Sequence, residues 1–531
     1  MRRHHPDFFR VVRVMFTTPA PLLPEIFRLH AKWRSGDSAV ICDNEHWTWA
    51  QFIAEAAAFA TGARTLGLEE QARIGLFMSN DLHMVRAIYG GMLGGYTVVP
   101  LNTSVTDAAA IAMLDDASVS MLVVSDDLMA RGEQIAQGLS STPQCVTTGE
   151  ARGAWMDMNQ LCVAGADPLS LTPPAPESIV NIIYSSGTTG LPKGIAHDHR
   201  SRRDWAYDLA NALRYHGKAR TLCTIGLYSN ISWVAMLSTL ISGGCIVVDR
   251  SFDAKRTLDL IREHRITHMA MVPIQFQRLC DAIDSDPSTD VSSLQALMSC
   301  GSPLRETLKR RIFDLIPCGV IELYGLTEGI ITTLDVEDAE GRWSSVGRPL
   351  LGTDICIVDE QGVQLPRGEA GEICSRGRIA MPGYWNRDDA NQDATYIDSD
   401  GLAWLRSGDI GYVDDEGYLY IVDRKKDMIL SGGQNIYPQD LEAVLASHPD
   451  VFDCAVIGMA SERWGETPVA LVCEKSPKSV ATDELLRWAN DQLGKQQRLA
   501  DVIVVPELPR NPNGKILKRE LREAFKERRY G

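Results

Sequence analysis

From about residue 37 to 270, short β-rich apolar runs, ARIGLFM, YTVVPL, SMLVVS and GCIVVD, alternate with segments such as WAQFIAEAAAFATGARTLG whose apolar residues recur at helical spacing. That alternation predicts parallel and mixed sheets covered by helices, an α/β fold. Between about 350 and 422 the texture changes to short strands with turn signals, DICIVDEQGVQL, AGEICSRG and YVDDEGYLYIVD. These predict an antiparallel, barrel-like subdomain. After DRKKD, Asp423 to Asp427, and the pair Gly432 and Gly433, the pattern becomes a helix around PQDLEAVLASH, strands in FDCAVIGM and PVALVCE, a helix in TDELLRWANDQL and a strand in DVIVV. This is a small α+β domain of about a hundred residues. No repeat or low-complexity linker separates the parts, so a short hinge is expected between an N-terminal domain over 1–423, containing the β-rich 350–422 stretch, and a C-terminal domain over 424–531.

Composition narrows the class. At 531 residues the chain exceeds what one hydrophobic core usually serves, and 45% apolar with 23% charged residues is an ordinary globular balance. A formal charge of -16 argues against nucleic acid as a partner, because phosphate-backbone binding needs clustered Lys and Arg. Twelve cysteines carry no CxxC pair, no disulfide spacing and no zinc spacing, and read as reduced thiols of a cytoplasmic protein. MRRHHPDFFRVVRVMF opens like a signal peptide, yet Arg10 and Arg13 interrupt its apolar stretch, which favours an amphipathic first helix. No uncharged run is long enough for a transmembrane segment.

The chemistry begins where SIVNIIY, a buried-strand pattern, runs into YSSGTTGLPKG, Tyr184 to Gly194. Ser185, Ser186, Gly187, Thr188, Thr189, Gly190 and Lys193 offer hydroxyls, backbone N–H groups and one cation, while the glycines permit close approach. Phosphate is the natural guest. The loop is not a Walker A sequence, since no GK[ST] follows. Composition alone leaves a plain surface turn as the competing reading.

Several ordered motifs, from about residue 37 to the C-terminus, resemble the adenylate-forming superfamily of acyl-CoA synthetases, nonribosomal adenylation domains and firefly-type luciferases. YSSGTTGLPKG looks like the family's mobile phosphate loop, which holds the ATP triphosphate. YGLTEG, Tyr324 to Gly329, resembles the next signature. The resemblance implies that Tyr324 stacks on adenine, with Gly325 beside it, that Thr327 bonds the α-phosphate, and that Glu328 holds magnesium. It further assigns Gly301, Ser302 and Pro303 of CGSPL, Glu322 and Ile421 to the nucleotide pocket. RSGDIGYVDDEGYLYIVDRKKDMILSGGQNIYP, Arg406 to Pro438, matches almost continuously. Asp409 is expected to accept both ribose hydroxyls, Arg424 to contact ribose or phosphate, Lys426 to be the hinge, and the Gly432 and Gly433 loop to face coenzyme A. In PRNPNGKILKREL, Lys515 resembles the lysine that enters for adenylation and bridges two anions, the substrate carboxylate and the α-phosphate. Taken singly, DRKKD reads as a solvated turn, the TE pair as a helix cap and Lys515 as a tail lysine; their order is what carries the assignment.

The segment GLYSNISWVAM, Gly226 to Met236, corresponds to part of the family's acid pocket. Amino-acid-activating members place an Asp here, and this stretch has no acidic residue. An unpaired ammonium would cost on the order of several kcal/mol, so an acid without the amine is expected. Tyr228, Ser229, Asn230, Trp233, Gly325, Ile330 and Ile331 form the expected pocket, suited to an aromatic or medium to long aliphatic acid. Ser229 departs from the aromatic or histidine gate common in the family. His197 and His199 have the look of a metal pair but lack a third ligand. The overall expectation is an AMP-forming acid–thiol ligase using ATP, magnesium and coenzyme A, with a homodimer left open. Delivery to a separate carrier protein is the nearest rival. A luciferase-type oxidoreductase is the rival of another class, weakened by Leu430 where that branch favours lysine.

Overall fold

The computed structural model describes residues 20–185, 192–431, 434–477, 479–494, 497–510 and 515–530. The expected first helix, loop residues Ser186, Gly187, Thr188, Thr189 and Gly190, and the Gly432 and Gly433 pair lie outside these residues, and of Ser185 only the backbone is described. The fold is mixed α/β and divides into two compact units. The first takes in the described residues up to Glu340 with Pro349–Thr353 and Gly377–Asp393; the second takes in Gly341–Arg348, Asp354–Arg376 and the described residues from Ala394 onward.

Two sheets build the first unit. In one, the parallel strands Ile179–Ser185, Thr97–Pro100, Arg73–Phe77, Met121–Val124, Gln144–Thr147 and Trp155–Asp157 lie in that order, and Lys193–Asp198 then Gly383–Tyr384 add antiparallel beyond the first. In the other, Ile321–Gly325, Ala296–Ser299, His268–Met271, Arg220–Cys223, Cys245–Val248 and Ser38–Cys42 run parallel, flanked by antiparallel Ile331–Leu334 and Glu45–Thr48. Central strands such as Met121–Val124 and Cys245–Val248 are buried at every position, which is why they read as unbroken apolar runs. Helices cover them. The Trp49–Thr65 helix starts at Thr48, whose hydroxyl accepts from Gln51 N while the Gln51 side chain accepts from Thr48 N, and it buries Trp49, Phe52 and Phe59.

In the second unit, the long strand Ala403–Val413 pairs antiparallel with Gly371–Gly377, Thr395–Ile397 and Leu419–Arg424. The DDEG turn closes the last of these hairpins, Gly417 N donating to Asp414 O at 3.0 Å with Gly417 at φ +88°. Further on, Gln434–Ile436, Ile429–Ser431, Gly465–Glu474, Val451–Ser461 and Asp501–Val504 make a five-stranded sheet. Alternate residues of its strands feed two apolar layers. Val456, Ala470 and Val472 meet Leu441, Leu445 and Leu485 on one face, and Ala455, Ile457 and Leu471 meet Leu508 and Leu521 on the other. No helix among the described residues is long and apolar enough to cross a membrane.

Leu441 is fully buried in the Pro438–Ala446 helix. Leu441→Ala is expected to cost about 2 to 5 kcal/mol, read as an earlier urea-unfolding transition of this unit.

Candidate active site

Strand pairing brackets the glycine-rich segment. Tyr184 pairs with Gly194 and Ser185 with Lys193, so the two ends of the glycine-rich segment stand side by side on neighbouring strands. Tyr184 is anchored below it, its hydroxyl donating to Asp116 Oδ2 at 2.6 Å.

A tight turn from Leu326 to Gly329 joins Ile321–Gly325 to Ile331–Leu334. Leu326 N donates to Ile330 O at 3.0 Å and Gly329 N to Leu326 O at 3.1 Å. Gly329 sits at φ +113°, and a Cβ there would lie 2.5 Å from Ile379 O and 2.6 Å from Ala380 Cα, so both dihedral and space demand glycine. The turn carries Thr327 and Glu328. Tyr384 donates its hydroxyl to Glu328 Oε1 at 2.9 Å, Met381 N donates to Glu328 O at 2.8 Å, and Lys193 Nζ lies 5.0 Å from the centre of the Tyr384 ring. Burial, then the Glu328 charge, pushes the Tyr384 phenol up, so its proton stays in place as the donor. Tyr384 thus joins the loop lysine to the turn carboxylate.

Glu322 is buried on the strand that leads into this turn. Its Oε1 accepts from Leu304 N at 3.2 Å, and its Oε2 pairs with Lys309. Both oxygens are engaged inside the fold, where they fix the CGSPL loop. That loop exposes Gly301 at φ +91° and Pro303, with Ser302 half-buried, between strand Ala296–Ser299 and helix Glu306–Leu315. Tyr324 is half-buried, and a Cβ on Gly325 would meet Ile330 O at 2.6 Å.

Ser229 is the N-cap of helix Asn230–Ile241, its hydroxyl accepting from Ile231 N at 3.3 Å. Trp233, Ile330 and Ile331 are buried; the Trp233 indole donates to Leu227 O at 3.0 Å. Tyr228 is half-buried, and burial pushes its phenol up to about 12. Asn230 Oδ1 is buried with no donor among the described residues. Asn80 holds this segment from behind: its Oδ1 accepts from Leu227 N at 2.8 Å, and its Nδ2 donates to Ile225 O and Asp249 O, each at 3.1 Å.

The second unit carries its own cluster. Antiparallel register sets Asp409 opposite Arg424, whose Nε lies 2.9 Å from Asp409 Oδ1, and Ile421 is half-buried on the same strand. Lys426 is exposed in the turn that follows, where Asp427 N donates to Arg424 O at 2.9 Å. Lys515 lies in this cluster: burial, then the positive charges of Arg424 and Lys426, hold its ammonium down to about 7, against the opposing pull of Asp409 and Asp427. Behind it, Lys518 pairs with Glu442 at 2.7 Å and Arg522 with Asp427 at 2.9 Å. Asp423 Oδ2 accepts from Gln439 N at 3.0 Å, and burial, opposed by Lys518, pushes that carboxyl up to about 6.

His197 and His199 are buried rings, not a surface pair. His197 Nε2 lies 2.8 Å from Thr327 O, and neither nitrogen of His199 has a partner among the described residues. Burial first, with Arg202 adding for His197, holds both well below the usual histidine range.

Residues 27–385 match the family of AMP-binding enzymes, and residues 440–515 match the AMP-binding enzyme C-terminal domain. The chain is 29% identical to the fatty acid–acyl-carrier-protein ligase ScoC of Streptomyces coeruleorubidus, over 99% of this chain and 98% of that protein. It is 32% identical to the long-chain-fatty-acid–CoA ligase FadD13 of Mycobacterium tuberculosis, over 90% of this chain and 93% of that protein. ATP-bound MatB from Rhodopseudomonas palustris superposes with a TM-score of 0.86 at 26% identity, over 95% of this chain and 99% of that one.

In ligand-free protein carrying ¹³C-methylated lysines, the signal lost in Lys515→Arg is expected to titrate with a midpoint near 7, where ordinary lysines titrate near 10. Asp427→Asn removes an upward pull and is expected to lower that midpoint further; a rise would contradict the assignment of charges.

Proposed function

The chain belongs to the AMP-binding enzyme family, and on that premise we propose that it activates a carboxylic acid with ATP, releasing pyrophosphate, and passes the acyl group to coenzyme A. The observation that carries the reading is Lys515, a lysine held at about 7 beside the Asp409–Arg424 pair. A lysine so placed gains its full charge when anions arrive, which suits a step in which two anions must meet.

In the first step a carboxylate oxygen attacks the α-phosphorus, the bond from that phosphorus to the bridging oxygen breaks, and pyrophosphate leaves. Asp409 orients the ribose, Tyr324 and the Gly301 to Pro303 loop flank adenine, and Lys193 with the Ser185 to Gly190 loop holds the departing phosphates. Thr327 donates to the α-phosphate while Lys515 bridges it to the carboxylate. Glu328, steadied by Tyr384, supplies a hard oxygen of the kind magnesium takes alongside phosphate oxygens. When bound, magnesium would neutralise phosphate charge.

In the second step the C-terminal residues turn about Lys426 and withdraw Lys515, and the Gly432 and Gly433 loop admits the pantetheine thiol. Sulfur attacks the acyl carbon, the acyl–oxygen bond breaks, and AMP leaves. The position of Lys426 in a turn between two strands suits a residue that absorbs a backbone rotation.

The absence of an acidic side chain from Gly226 to Met236 favours an acid without an α-amine. Asn230 Oδ1, buried without a donor among the described residues, is available to a hydroxyl on the substrate. The relatives include ligases of fatty acids and of aryl acids alike, so the substrate class proposed spans both. All twelve cysteines are free thiols, which suits the reducing cytoplasm. ScoC, similar along nearly the whole chain, supports a second reading in which the acceptor is a carrier protein. Acid-dependent consumption of coenzyme A, measured with and without added carrier, decides between them.

Lys515→Ala is expected to lower acid-dependent pyrophosphate release by roughly a hundredfold or more, yet still convert supplied acyl-adenylate and coenzyme A to thioester. Equal loss of both half-reactions would contradict the role of Lys515. Lys426→Pro is expected to do the reverse, sparing pyrophosphate exchange and slowing thioester formation; unchanged overall turnover would reject the hinge.

A further inference from the structure

Behind the Thr327 turn lies a buried polar relay that the mechanism above does not use. Asn181 and Arg202 are 0% exposed and His197 is 2% exposed. His197 Nε2 is 2.8 Å from the Thr327 carbonyl, while its Nδ1 is 3.1 Å from Arg202 Nη2 and 3.3 Å from Asn181 Nδ2. Arg202 Nε in turn donates to Asn181 Oδ1 at 2.8 Å.

Donor and acceptor chemistry leaves one consistent assignment. A guanidinium has donors and no acceptor, so the nitrogen facing Arg202 must be the unprotonated one. Asn181 agrees: its oxygen is taken by Arg202 Nε, which turns its amide N–H toward the same Nδ1. The ring proton therefore sits on Nε2, and there it meets a carbonyl that can only accept. A second ring proton would set an imidazolium N–H against an arginine N–H in a buried site.

Arg202 has no carboxylate partner among the described residues. Its guanidinium lies 4.7 Å from the Trp205 ring centre and 5.2 Å from that of Trp233. Burying a cation in this way is costly, and no ion pair accounts for it. What the cation does accomplish is to fix the state of His197. His197 is also the one described donor to the Thr327 carbonyl, and Met381 N pins the next carbonyl along, at Glu328.

We propose that His197 is a positioning residue, locked as the Nε2–H tautomer by Arg202 and Asn181, and that it sets the Thr327–Glu328 turn for adenylyl transfer. This rests on the reading that Thr327 and Glu328 serve the nucleotide. His197 touches no substrate; it acts through the turn.

Two measurements on the full-length protein test it. In ¹⁵N-histidine NMR at neutral pH, the ring signals that vanish in His197→Leu are expected to be those of a neutral imidazole protonated on Nε2. Arg202→Met is expected to lose that single state. Protonation on Nδ1 or on both nitrogens in the unsubstituted protein would overturn the proposal. Kinetically, His197→Leu is expected to lower kcat for acid-dependent pyrophosphate release by roughly ten- to a hundredfold with the KM for the acid unchanged. His197→Gln, which keeps an N–H toward Thr327, is expected to recover most of the loss. Unaltered kcat in His197→Leu, or no recovery in His197→Gln, would overturn it. If the unsubstituted protein releases no pyrophosphate with any acid, the proposed function fails, and the tautomer still decides the relay.

Discussion

A carboxylate and a triphosphate repel each other, and an enzyme that joins them needs a cation whose charge depends on their arrival. In the proposed function Lys515 is that cation, and its character comes from its burial and its neighbours. Burial pushes its ammonium down most, Arg424 and Lys426 push it further, and Asp409 and Asp427 pull back, leaving it at about 7. Bound anions would add to the upward pull and restore the full charge where it is needed. The remaining features of the second unit serve this placement. The register of two strands sets Asp409 against Arg424, and the Lys518–Glu442 and Arg522–Asp427 pairs secure the helix that follows Lys515.

The first unit solves a different part of the same problem. A phosphate grip needs small, backbone-rich segments, and such segments do not hold their own shape. Here the two described ends of the segment, and the neighbouring turn, are held from outside. The loop is bracketed by a strand pair, Ser185 against Lys193, and the Thr327–Glu328 turn is tied at one carbonyl by His197, at the next by Met381, and at its carboxylate by Tyr384. Rigid strands thus lend geometry to a glycine-rich rim, and Gly329 has no room for any side chain because the turn is pressed against Ile379 and Ala380.

What could be read in the chain beforehand follows from how local each feature is. The strands ARIGLFM, YTVVPL and GCIVVD, the DDEG hairpin and the small C-terminal sheet are set by periodicity and turn chemistry within a few residues, and they stand where those patterns put them. Motif order marked Lys193, Thr327, Glu328, Asp409 and Lys515 as candidates. Their supports were not legible, because the partners are remote in sequence: Tyr384 lies 56 residues from Glu328, Asn80 lies 147 from Leu227, and His197 lies 130 from Thr327. HDH looked like half of a metal site. Periodicity could not reveal that one ring faces a carbonyl while Arg202, from the following helix, faces its other nitrogen. In the segment proposed as the acid pocket, the side chains that sequence marked as walls, Trp233, Ile330 and Ile331, are buried, and the loop is set by an asparagine from another part of the unit.

The central claim is that a substrate carboxylate attacks the α-phosphorus of ATP directly, and the fate of its oxygen tests that most directly. An acid labelled with ¹⁸O in the carboxylate, chosen by pyrophosphate release across aryl and fatty acids, is turned over with ATP, magnesium and coenzyme A. The account predicts one ¹⁸O in the AMP and none in pyrophosphate or inorganic phosphate. AMP free of label, or label recovered in inorganic phosphate alongside ADP, would contradict it.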